Sequence, residues 1–145
     1  MGVDLEKNYA VITGDFIGFS GLPASIRQQM PDVLVKAGRE LCTAFGPLLP
    51  EDVAVFRGDS WQAMIVEPAQ SFRTALFFRA AVRAAAGEVD TRMAIGIGRV
   101  DYVPKGRVSA GDGPAFRRSG KMLEQMTSDR WGRLRLAFPE LDAEA

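Results

Sequence analysis

Tyr9-Ala-Val-Ile-Thr-Gly-Asp15-Phe-Ile-Gly-Phe-Ser20 is the stretch that decides the fold of this 145-residue chain. Tyr9 to Thr13 is short, β-prone and nearly continuous in apolar residues, and it stops at Gly14-Asp15. Such a run suits a central strand covered on both faces, since a one-sided strand would alternate polar with apolar. The second half puts Gly18 and Gly21 between an acid and the next helix. Glycines let backbone N–H groups come close to a ligand, and a loop that feeds a helix N-terminus attracts phosphate.

Beyond this stretch, Pro23 reads as opening a short helix that Pro31 interrupts. Val33, Leu34, Ala37, Leu41 and Phe45 then recur at 3.6-residue spacing in a second helix ending at Gly46-Pro47. Val53 to Phe56 reads as a strand, Gly58-Asp59 as a tight turn, and Trp61 to Val66 as the hairpin partner. Pro68 starts a helix with Phe72, Ala75, Leu76 and Ala80 on one face. Met93 to Val103 alternates as a long strand, which Pro104-Lys105-Gly106 turns back towards Val108. A last helix carries Phe116, Gly120 and Leu123 along one side, and Arg133 to Phe138 alternates like a final edge strand.

This order specifies an α+β fold, a ferredoxin-like βαββαβ core with an added C-terminal hairpin and helix. It reads as one domain over 1–145, with a frayed N-terminus of about 1–8 and an acidic tail of about 139–145. In that topology the first and third strands are antiparallel neighbours. Asp15 and Asp59, distant in sequence, then fall at the same edge of the sheet.

Composition narrows the chemistry. Lys plus Arg equals Asp plus Glu at 18 each, so no global field points to nucleic acid or to an acidic membrane. The chain has no histidine, which excludes Ser-His and Cys-His nucleophile pairs and the usual zinc sites. The one cysteine, Cys42, lies among apolar residues of a helical pattern and reads as a packed thiol in a reducing compartment. No apolar run approaches membrane-spanning length, and the opening MGVDLEKN lacks the core of a signal peptide. A cytoplasmic protein with no membrane attachment is the expectation.

Chemistry must then run on carboxylates, Lys/Arg, hydroxyls and backbone. Two carboxylates at one strand edge repel unless a cation or proton lies between them. Hard oxygen ligands of this kind favour Mg2+ or Mn2+. A metal bridging Asp15 and Asp59 to phosphate gathered by residues 16–20 makes sense of acids beside an anion-binding loop. Among other candidates, Arg117, Arg118 and Lys121 cluster on the last helix, as a phosphate-neutralising group or as a solvated face. Trp61 reads as packing, Arg73, Arg79 and Arg83 as the wet side of their helix, and Asp101 and Asp112 as caps or solvated acids. Phe72, Phe77 and Phe78 exceed what one helix face buries, so an exposed member would mark a protein interface.

The same motifs carry a resemblance. Asp15-Phe-Ile-Gly-Phe-Ser20 resembles the D-[IV]-x-G-F-[ST] opening of class III nucleotidyl cyclase domains, and Arg57-Gly-Asp59 resembles their metal-bearing hairpin. Arg92-Met-Ala-Ile-Gly-Ile-Gly98 looks like their R-[IV]-G-I-x-x-G strand, and Gly113-Pro-Ala-Phe like the G-x-x-V start of a late helix. Order and spacing hold from roughly residue 9 to 124. A closer match is to the SatD family of small bacterial proteins, through Val11-Ile-Thr-Gly-Asp15, Gly58-Asp-Ser-Trp-Gln62, Ala94-Ile-Gly-Ile-Gly98 and Ala115-Phe-Arg-Arg-Ser-Gly120.

What the cyclase resemblance implies is uneven. It makes Asp15 and Asp59 the metal ligands, and Phe16, Ile17, Gly18, Phe19 and Ser20 the nucleotide-phosphate loop. It sets Arg117 and Lys121 at the two catalytic late-helix positions, although Lys121 lacks the planar fork of an arginine. Val55 and Ala110 stand where adenylyl cyclases carry base-reading residues, so adenylyl cyclase activity is not implied. The implied function is metal-dependent nucleoside triphosphate binding, with nucleotidyl or phosphoryl transfer if the protein is an enzyme. A homodimer with the site shared across its interface is also implied. The alternative is a non-catalytic regulatory or dimerisation module.

Overall fold

A computed structural model describes residues 2–127 and 134–137 of the chain. Among these residues the fold is α+β, with three α-helices against a five-stranded sheet in the order β2-β3-β1-β4-β5. β1 (Tyr9–Ile17) lies at the centre, antiparallel to both β3 (Ser60–Ile65) and β4 (Asp90–Gly98). β2 (Ala54–Phe56) closes one side antiparallel to β3, and β5 (Leu134–Ala137) lies at the other edge, parallel to β4.

Alternation divides β1 between two cores. Ala10, Ile12 and Phe16 face α1 (Ala24–Phe45) and α2 (Ser71–Ala85), joining Met30, Leu34, Leu41, Trp61 and Phe78 in the larger cluster. Tyr9 and Val11 face the other way, onto Val100, Val103, Val108, Ala115 and Phe116 around α3 (Pro114–Thr127). β1 therefore needs apolar residues at successive positions, as its sequence has.

Two glycines are required by close approach. A Cβ on Gly14 would run into the indole of Trp61, its cross-strand partner on β3. A Cβ on Gly96 would meet the Ala115 carbonyl oxygen and the Ser119 amide, so α3 packs on β4 backbone to backbone. A buried polar cluster locks this second layer: Gln62 Nε2 donates to Thr13 Oγ1 at 2.9 Å, and Thr13 and Ser119 hydroxyls lie 2.7 Å apart.

The structure corrects four expectations. Pro31 does not divide two helices: it lies within the continuous α1, whose buried Met30, Leu34, Ala37, Gly38 and Leu41 form one stripe against the sheet. The loss of one backbone N–H is outweighed by that burial. β4 does not run on to Val103, nor does a strand hairpin follow it. After Gly98, Arg99 accepts from the Ala115 amide, a single bridge joins Tyr102 and Asp112, and Val108–Ala110 forms a 3₁₀ turn. The helix beyond Pro68 begins as a 3₁₀ turn, and α2 buries Ser71, Thr74, Ala75, Phe78 and Val82, leaving Phe72 and Leu76 exposed. Arg79 and Arg83 are not simply solvated, because both hold the buried Asp90 carboxylate, at 2.9 and 3.2 Å. The expected acidic tail lies outside the described residues.

Candidate functional site

The β2–β3 turn sets the backbones of the two aspartates side by side. Arg57 and Gly58 both have positive φ, 53° and 81°, which tightens the reversal between Phe56 and Ser60. Asp15 is the cross-strand partner of Ser60, and the Phe16 amide donates to the Asp59 carbonyl at 2.9 Å. Both acids therefore sit at the same end of the β1–β3 pair.

Their side chains have different surroundings. Asp15, 14% exposed, stands opposite Arg92 of β4 and accepts from its Nε and a terminal nitrogen at 3.1 and 3.2 Å. That two-point fork neutralises the carboxylate in a partly dry setting. The backbone here is pinned from below: Trp61 Nε1 donates to Thr91 Oγ1 at 2.9 Å, and the Thr91 hydroxyl donates to the Asp15 carbonyl at 2.8 Å. Asp59 is exposed and has no ion-pair partner among the described residues.

Asp59 borders a cavity of about 300 Å³ between the hairpin, the 16–20 loop and α1. Phe16, Gly18, Phe19 and Ser20 line it on the loop side, with Arg57 and Asp59 from the turn and Arg27 from the first turn of α1. Phe16 and Phe19 stack with ring centroids 4.7 Å apart, which gives the loop an apolar footing. Ile17 ends β1 paired with Asp90 and does not line the cavity. The sequence gives no role to Arg27, and none to Arg57 beyond its place at the head of the Arg57-Gly-Asp59 motif.

The late helix lies elsewhere in the same chain. Its N-terminal half packs on Gly96 and Gly98, at the far end of β4 from Arg92. Arg117 is exposed and holds Asp112 at 3.1 Å, while Lys121 is exposed one turn on. Arg118 donates to the Ile97 carbonyl at 3.0 Å. Neither Arg117 nor Lys121 lines the cavity beside Asp59. Trp61 is fully buried edge-on to Phe78.

The donor set fits a hard cation. Asp15 at the end of β1 and Asp59 in the β2–β3 turn offer carboxylate oxygens, and Mg2+ typically takes one or two carboxylates and completes its shell with water and phosphate oxygens. Asp15 would have to share its oxygens with Arg92 or release it.

No family model matches the chain, and no curated protein matches it. Among solved structures, the guanylyl cyclase Cya2 is a distant structural neighbour. It has a TM-score of 0.49 and 13% sequence identity, with 83% of this chain and 73% of that chain covered. No helix among the described residues is long and apolar enough to cross a membrane.

Proposed function

We propose that this protein is a nucleotide-binding domain of class III cyclase-like descent, which takes nucleoside triphosphates with Mg2+ or Mn2+ held by Asp15 and Asp59. The observation that carries the reading is that Asp15, at the end of β1, and Asp59, in the β2–β3 turn, stand at the same end of the β1–β3 pair, with Asp59 bordering the cavity of the 16–20 loop. The β2-β3-β1-β4 antiparallel order supports the ferredoxin-like core of that reading. Asp59 is exposed and would hold the cation from the border of the cavity, where bound phosphate would share it. The cation supplies charge neutralisation and, if turnover occurs, activation of the attacking oxygen. Arg117 and Lys121 serve the site of a second copy in a twofold dimer.

A second reading, a regulatory module without turnover, draws on a specific observation. Arg92 already satisfies Asp15 at two points, which is what a structural ion pair requires. Calorimetric titration with the four common nucleoside triphosphates, with and without Mg2+ or Mn2+, tests the proposal. Binding of at least one nucleotide that strengthens with the cation is expected. No heat with any of them, in either cation, overturns it.

A further inference from the structure

We propose that the cavity between the 16–20 loop, α1 and the β2–β3 turn is a direct polyphosphate site, in which Arg27 and Arg57 grip phosphate oxygens without an intervening cation. This deepens the reading above and rests on it for the identification of the polyphosphate as part of a nucleotide.

Charge is the first argument. Two guanidinium groups and one carboxylate line the cavity, so its fixed charge is positive even though the whole chain is neutral. Neither arginine has a carboxylate within ion-pair distance among the described residues. Elsewhere the chain pairs Arg79 and Arg83 with Asp90, Arg92 with Asp15, and Arg117 with Asp112. Arginine presents a planar fork of N–H donors, which suits adjacent phosphate oxygens better than lysine does.

Geometry is the second argument. The two arginines come from different elements, α1 and the turn, and face one space of about 300 Å³, at the lower end of small-molecule sites. The stacked Phe16 and Phe19 hold the loop between them. Asp15 is not part of this lining: it points with Thr13 to the α3 side of β1 and is held by Arg92. The arginine cavity therefore borders Asp59 and not Asp15, and phosphate held by the arginines needs no metal to reach them.

The test uses inorganic tripolyphosphate, a nucleoside triphosphate and a nucleoside monophosphate, each titrated into the full chain in EDTA and again in Mg2+. Tripolyphosphate binds in EDTA, and Arg27→Gln and Arg57→Gln each weaken it by roughly tenfold, the scale of one charge-assisted contact. Both residues are exposed, so unchanged melting temperatures confirm that the variants fold. Asp59→Asn tightens tripolyphosphate in EDTA, because it removes the one repelling carboxylate, whereas it weakens nucleotide in Mg2+.

Loss of all tripolyphosphate binding in EDTA, or equal binding by parent and arginine variants, overturns the arginine site. Nucleotide binding in Mg2+ that survives this result leaves the proposed function standing. Tripolyphosphate held by the arginines, with nucleoside triphosphate no tighter than tripolyphosphate in Mg2+, keeps the anion site and removes the nucleotide reading. Monophosphate matching triphosphate overturns the requirement for a polyphosphate.

Discussion

Asp15 and Arg92 face each other across β1 and β4, and their pairing sets what a point mutation costs. Both groups are largely shielded, so removing one partner leaves a charge without its counter-ion in a half-dry site. Arg92→Met should destabilise the fold by about 1–3 kcal/mol, with much of the loss restored in the Asp15→Asn/Arg92→Met double variant. Urea unfolding of the four proteins measures this. Additive losses would mean that the two side chains do not act as a pair. Gly14 offers a second residue-level test. Gly14→Ala drives a methyl into the Trp61 indole and should cost about 1–3 kcal/mol, although alanine is ordinarily the better strand residue. A neutral Gly14→Ala would show that the indole has room to shift.

At the scale of elements, α2 separates what the sequence makes legible from what it hides. The strand at Tyr9, the turn at Gly58-Asp59 and the alternation of α-helical and β patterns are written locally, in runs of apolar residues and in positions needing positive φ. The Asp15–Asp59 juxtaposition follows from strand order alone. The inner face of α2 is not written locally, because Phe72, Ala75, Leu76, Phe77 and Phe78 leave more than one apolar stripe available. The decision falls to the tertiary core, where Phe78 packs edge-on to Trp61, and the hold of Asp90 on Arg79 and Arg83 agrees with that rotation. Hydrogen bonding to Asp90 raises the Arg79 guanidinium further above its ordinary range, so it stays charged at working pH. Phe78→Ala should therefore cost about 3–5 kcal/mol, and Phe72→Gln less than about 0.5 kcal/mol. Thermal unfolding checks the pair, and the reverse order would mean the helix is rotated. Arg27 and Arg57 were hidden for a different reason: a cavity lined by three separate segments has no signature in any one of them.

At the scale of the whole molecule, Arg117 and Lys121 sit on a helix whose start is at the far end of β4 from Asp15. If they serve a nucleotide, as proposed, they serve that of a second copy. Mixing Asp59→Asn protein with Lys121→Ala protein should then restore part of the nucleotide binding that each lacks alone. Light scattering that shows a monomer at tens of micromolar with nucleotide present would remove the shared site. It would leave the single-chain cavity beside Asp59 in place.

A cation on Asp59 would show in the melting temperature of parent and Asp59→Asn protein, with and without Mn2+ and nucleoside triphosphate. Ligand at a hundred times its dissociation constant adds about 2.7 kcal/mol to stability. For a domain of this size that is several degrees. The parent should show such a rise, larger with Mn2+ than with EDTA, and Asp59→Asn should show no Mn2+-dependent rise. An equal Mn2+-dependent rise in both proteins, or none in either, would contradict a cation on Asp59.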